Sequence, residues 1–129
     1  VIKKIVSSLS KIHSRIREKD KSRSRSPSWD KVRDAHLECH PVCAACGASD
    51  NLQVHHIIPY RVEASRELDP SNLITLCMGK HDCHLHVGHG GSFKYYNPNV
   101  ISDALLFSAS FFKRRDKLIA EIKKRRQKF

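Results

Sequence analysis

The side chains able to do chemistry crowd between Cys43 and His84. Cys43-Ala-Ala-Cys46 is answered by Cys77 and Cys83; His55-His56 and Asn72 lie between the two pairs, and His84 follows the last cysteine directly. A Cys-x2-Cys turn aims two sulfurs at one point, and Cys77 with Cys83 can close a tetrahedron around it, as structural zinc requires. The alternative is a set of buried free thiols. Successive residues on a strand point to opposite faces, so His55 and His56 do not readily bind one ion side by side. They can divide the labour, one ligating a metal and the other taking a proton from water, because imidazole is neutral and basic near pH 7. A divalent cation can relieve charge on a phosphate and on the oxygen that leaves it. By itself the histidine pair reads equally well as polar strand decoration.

These residues need a scaffold. At 129 residues the chain is at most one domain with extensions. A core from Trp29 to Val100 is small enough to need a staple. The Cys-x2-Cys unit is too short for an ordinary structural disulfide and no secretory signal precedes it, so the cysteines read as cytosolic zinc ligands. Four-thiolate zinc contributes on the order of 10–16 kcal/mol of coupled folding energy in small peptides. No apolar run approaches the roughly 20 residues that span a bilayer. Lys and Arg outnumber Asp and Glu 24 to 13, a net charge of +11, and a polyanionic partner follows.

Four segments emerge. Residues 1–18 read as a basic amphipathic helix, with Ile2, Ile5, Val6, Leu9, Ile12 and Ile16 at helical spacing; its stripe suits core packing or a homodimer. Residues 19–28 read as a flexible Ser/Arg linker whose arginines could contact phosphates. In the domain 29–100, Ser28 caps a short helix through about Glu38, with Trp29 as core anchor. Leu52–Ile58 is a strand broken at Pro59, 61–71 a loop, Asn72–Leu76 a second strand, and a helix starts near Cys83 or His84, limited by Gly88, Gly90 and Gly91. In 101–129, a longer basic helix runs from Ser102 to about Gln127, its apolar side carried by Leu105, Leu106, Ala109, Phe112, Ile119 and Ile122.

Val54-His55-His56-Ile57-Ile58-Pro59, Ser71-Asn72-Leu73-Ile74-Thr75-Leu76-Cys77 and Cys83-His84 together resemble the HNH endonuclease family. Val87-Gly88-His89 and Tyr96-Asn97-Pro98-Asn99-Val100 resemble more narrowly the HNH proteins of phages and prophages. The resemblance implies an α+β fold: a small ββα-metal core stapled by structural zinc, with N- and C-terminal helical extensions. It implies that His56 is the general base and that Asn72 braces the loop and orients His56. His55 and His84 would ligate the catalytic divalent metal, which is Mg²⁺, Mn²⁺, Ni²⁺ or Zn²⁺. Cys43, Cys46, Cys77 and Cys83 would hold zinc. The implied reaction is hydrolysis of double-stranded DNA, nicking if monomeric, leaving a 5′-phosphate and a 3′-hydroxyl, in the cytoplasm of a bacterial or phage-infected cell.

Two spacings depart from the family pattern. Cys77 and Cys83 enclose five residues, among them His81, a competitor for zinc. Position 88, where a further metal-binding histidine is expected, is glycine, and the candidate is shifted to His89. One extra residue rotates a helical side chain by about 100°, so His89 ligates only where the helix has ended or is distorted. Cys39 reads as a small buried residue. Arg61, Arg66, Lys80 and Lys94 are candidates for phosphate contacts, which give salt-dependent affinity with little sequence preference. A zinc-stabilised DNA-binding module without catalysis explains the charge and cysteines equally well, and a phage terminase-like partner would make it a packaging accessory. The module without catalysis leaves the His55-His56, Asn72 and His84 set without a role, whereas in a packaging machine the nuclease could assist a larger motor.

Overall fold

The computed structural model describes residues 25–129; the amphipathic segment 1–18 and the linker up to residue 24 lie outside them. Helix α1 (Trp29–Cys39) lays Trp29, Val32 and Leu37 against Val54, Leu73 and Leu68, a small apolar cluster on one face of a hairpin. Trp29 is the anchor its type suggests. Ser28 sits at the N-cap position, but its side chain makes no capping bond; the turn is closed by Trp29 N donating to Ser26 O at 3.0 Å. Cys39 is exposed at the end of α1, not buried as expected.

The hairpin is strand β1 (Leu52–His56) antiparallel to β2 (Leu73–Cys77), with His55 opposite Ile74 and His56 opposite Leu73. Residues 57–72 between them carry two short 3₁₀ turns, Ala64–Arg66 and Pro70–Asn72; the expected plain loop is more ordered than its sequence suggests. Asn72 therefore ends a turn and does not begin the strand. The second face of the hairpin meets the main core, formed by Ile74, Leu76, Val87, Val100, Ala104, Phe107 and Ile122 around the four cysteines.

Beyond Cys83 the chain makes one π-helical turn, His84–Gly88, then a short strand β3 (Tyr95–Tyr96). The single long C-terminal helix expected from the sequence is two: α2 (Val100–Ala109) and α3 (Phe112–Arg125). Extended backbone at Ser110 (ψ 147) and Phe111 (ψ 165) separates them. In one straight helix Ile122 would lie about 22 Å beyond Phe107, far off the core. The break folds α3 back, and Ile122 is fully buried. The inner side of α2 is Val100, Asp103, Ala104 and Phe107; Leu105, Leu106 and Ala109, expected on the apolar side, face outward. After α3, Gln127–Lys128 (β4) pair with Tyr95–Tyr96. Among the described residues no helix is long and apolar enough to cross a membrane.

Candidate active site

The cysteines come from three elements. Cys43 and Cys46 sit in the turn after α1, which is tied to β2 by Ala44 N donating to Thr75 O at 2.9 Å. Gly47, at φ 78, closes that turn in a conformation other residues rarely adopt. Cys77 ends β2, and Cys83 precedes the π turn; Asp82, at φ 40, brings the loop between them back. The four sulfurs lie within 4.8 Å of one another, none in a disulfide, and Cys46 Sγ is 3.5 Å from Cys77 Sγ. With metal–sulfur bonds of about 2.3 Å a zinc tetrahedron has edges of about 3.8 Å. The cluster is thus positioned to bind a metal ion such as zinc. Its electrostatics fit: the Cys83 thiol, hydrogen-bonded to Cys43, holds Cys43 down to about 4, while that bond and burial push Cys83 up. Burial also pushes Cys46 up to about 11. Packed this closely, the thiols cannot all ionise unless a cation compensates them. His81, the expected competitor, lies instead against the Phe107 ring at 6.3 Å, outside the cluster.

The histidines divide as strand geometry requires. His55 turns to one face of the hairpin and meets His84 and His89, with ring centroids 5.2 and 4.8 Å away. One ligand atom from each lies within 4.8 Å of the others. The π turn resolves the spacing problem: its wider winding carries His89 under His84, bringing their Nε2 atoms to 3.3 Å. That is about the edge of a tetrahedron with metal–nitrogen bonds of 2.0–2.1 Å. His89 Nδ1–H donates to Tyr95 O at 2.7 Å, which turns its Nε2 lone pair inward. The buried His55 Nε2 has no hydrogen-bond partner. Burial lowers the pKa of all three, His84 to about 4, with further lowering from neighbouring histidines at His55 and His84. Three neutral imidazoles, each bringing one nitrogen to a common point, and two buried nitrogens without a partner, His55 Nε2 and His84 Nδ1, fit a divalent cation. Gly88 makes room for them, since a Cβ there would stand 3.1 Å from His55 Cε1 and from Leu76 Cδ1.

His56 turns to the other face, its ring 4.5 Å from that of Trp29. Nε2–H donates to Glu67 O at 2.9 Å, which leaves Nδ1 as the unprotonated nitrogen. The Arg25 guanidinium donates to that nitrogen at 3.2 Å and lies over the Trp29 ring at 4.8 Å. Burial lowers the His56 pKa and the Arg25 charge adds to this, against the Glu67 carbonyl. Asn72 is fully buried and hydrogen-bonded to the loop: Nδ2 donates to Ile58 O (3.0 Å) and Arg66 O (3.1 Å), and Oδ1 accepts from Ile58 N (2.8 Å). It reaches His56 only through that loop, one residue from the Glu67 carbonyl. A cavity of about 350 Å³ is lined by His55, His56, His84 and His89 together with Arg25 and Arg61.

Of the four basic candidates, Arg61 lines this cavity and Lys94 the trough beside it. Arg66 is paired with Asp69 at 3.5 Å, and Lys80 is exposed on the loop between Cys77 and Cys83. Sequence reasoning missed Arg25, read as linker, and Glu67, whose Oε1 accepts from Ser26 N at 2.9 Å and so fixes Arg25 beside His56. It also missed a buried clamp. Asn97 Nδ2 donates to Val87 O (3.0 Å) and Asp103 Oδ2 (2.7 Å), and Arg125 donates to both Asp103 oxygens at 3.2 Å. The Asn-Pro pair at 97–98 was the available signal for this rigid connection behind the π turn.

No curated protein and no solved structure matches the chain. Residues 43–90 match the family model for HNH endonuclease. That segment begins at Cys43, the first of the four clustered cysteines, ends just past His89 and carries every candidate ligand of both clusters, so over these residues the chain is similar to the HNH endonuclease family.

Proposed function

We propose that the protein is a metal-dependent DNA endonuclease that hydrolyses one phosphodiester bond per encounter, with His56 as general base. The observation that carries this reading is the division of the histidine pair. His55 joins two other neutral imidazoles in a ligand set, and His56 lines the same cavity from the opposite side with one nitrogen committed to a carbonyl. His56 takes the proton of the attacking water at Nδ1, while the Glu67 carbonyl keeps the other nitrogen protonated and the ring aimed. Arg25 stands on Nδ1 in the free protein; a phosphate in the cavity competes for the guanidinium and leaves Nδ1 to the water. His55, His84 and His89 would hold a divalent cation, which when bound neutralises the phosphate and the departing oxygen. Asn72 keeps the loop, and through it the Glu67 carbonyl, in register. The four cysteines would hold one zinc, which when bound ties together the turn, β2 and the start of the π turn. The products are a 5′-phosphate and a 3′-hydroxyl.

The test is conversion of supercoiled plasmid by protein freed of loosely held metal and resupplied with Mg²⁺, Mn²⁺, Ni²⁺ or Zn²⁺. The parent is expected to yield open circles before linear product. His56→Ala should lose at least about 100-fold in rate while keeping its zinc and its DNA affinity. A plasmid retarded on a gel yet intact with every metal would replace this reading with a zinc-built DNA-binding module.

A further inference from the structure

Beside the histidine cavity, and sharing Arg61 and Phe129 with it, runs a trough of about 730 Å³ lined by Arg61, Phe93, Lys94, Tyr95, Lys128 and Phe129. Its composition is unusual for a surface. Two phenylalanines stand in it, 54% and 44% exposed, between three exposed cations, with no acidic side chain in its lining. None of the three cations forms an ion pair among the described residues.

The trough is built to be stiff. Pairing of Tyr95–Tyr96 with Gln127–Lys128 sets Lys94 and Phe93 beside Phe129. Arg126 locks the ribbon, lying 3.9 Å over the Tyr95 ring and donating to Gly90 O at 2.8 Å. The Phe129 ring stacks on Tyr96 at 5.9 Å and 17°, and Phe93 stands 4.9 Å from the His89 ring and 5.6 Å from that of His84. An apolar wall around the ligands would need only the inner edges of these rings, yet about half of each is open to water.

Rigid exposed aromatics interleaved with cations match one ligand chemistry, a strand whose bases are free to stack while its phosphates meet the lysines. An intact duplex has its base faces covered by their neighbours and offers such rings nothing to stack on. We propose that the trough is a stacking platform for unpaired bases. On this account the preferred substrate of the adjoining site is single-stranded, frayed or branched DNA, with a nucleotide next to the scissile phosphate resting on Phe93 or Phe129. The assignment of substrate rests on the nuclease reading; the binding site itself does not.

The experiment therefore reads binding. Full-length, zinc-loaded His56→Ala protein, which leaves DNA uncut under the nuclease reading, is titrated into a labelled oligothymidylate and into a labelled hairpin duplex, and anisotropy is followed. Phe93→Leu and Phe129→Leu, which keep apolar bulk and lose the aromatic face, are expected to weaken oligothymidylate binding about tenfold each. Duplex affinity should stay within about twofold, and Phe93→Trp should restore the loss. Equal weakening toward both probes, or no change toward the oligothymidylate in folded, zinc-loaded variants, overturns the platform. So does a shift from dimer to monomer at unchanged oligonucleotide affinity, which would give the rings to a second copy of the chain. A parent that cuts neither the plasmid nor a labelled oligothymidylate with any of the metals would bring down the nuclease reading and leave this measurement standing.

Discussion

Five imidazoles of the described chain have their pKa lowered, each first by burial: His36, His55, His56, His84 and His89. The consequence for stability has a definite sign. Below about pH 6.5 a histidine of the unfolded chain takes up a proton, while its folded counterpart stays neutral. The unfolded state then binds more protons, and stability falls as pH falls. The contribution is full above the unfolded value and is lost on the way down to the folded one. For His84, brought down to about 4, the gap amounts to on the order of 3 kcal/mol by pH 4. Melting temperature is therefore expected to drop steeply between pH 6.5 and pH 4. His84→Leu, which cannot titrate, should drop less over the same interval, whatever its stability at pH 7. Equal slopes for parent and variant would remove His84 from the linkage. A bound divalent cation should steepen the slope of the parent, because the same lone pairs take either the proton or the metal.

At the level of elements, the π turn decides whether His89 belongs to the site. Gly88 is its tightest point, since an added Cβ meets the His55 ring and Leu76 at 3.1 Å, and neither is the free end of a flexible chain. Gly88→Ala is expected to cost about 1–3 kcal/mol as overpacking and to push the His55 ring off its two partners. Affinity for a divalent cation at the three histidines should fall about tenfold, on the scale of second-shell changes, while metal loading of the four cysteines stays unchanged. Calorimetric titration with Mn²⁺ beside a zinc assay separates the two, and unchanged Mn²⁺ affinity would mean that the ring has room. This element also marks how far the sequence could be read. The distortion was legible because His84 and His89, five residues apart with glycine at 88, cannot serve one ion on a regular α-helix. The hairpin was legible from the apolar residues around His55-His56 and from Leu73 to Leu76. The break at Ser110–Phe111 was not, because neither residue is a helix breaker and only burial of Ile122 against distant residues imposes it. Arg25 was illegible for the same reason: a long-range bond, Ser26 N to Glu67, puts an arginine of an apparently featureless stretch on His56.

For the whole molecule, the question is whether α2 and α3 are appendages of the HNH segment or part of what holds it in shape. The family match stops at residue 90, yet Val100, Ala104, Phe107 and Ile122 share one core with Leu76, Val87 and the cysteines. Three ties run back to the site from these helices and the residues that flank them. Asp103, held by Arg125, holds Asn97 and through it Val87 O. Asn97 N also donates to Gly88 O at 2.9 Å, within the π turn. Gln127–Lys128 pair with the strand whose Tyr95 carbonyl orients His89. Ile122 is the residue on which this argument can be tried, being fully buried on the helix that carries Arg125 and leads into β4. Ile122→Ala is expected to cost about 2–5 kcal/mol, read as a lower urea midpoint with zinc retained. Leu105→Ala, on the outward side of α2 and 66% exposed, should stay within about 0.5 kcal/mol of the parent. Because the loosened ribbon would release His89, Ile122→Ala should also weaken Mn²⁺ binding, although residue 122 lies outside the family segment. If Ile122→Ala instead matched Leu105→Ala in both midpoint and Mn²⁺ affinity, the zinc and the hairpin alone would set the geometry of the site, and α3 would only ride on it.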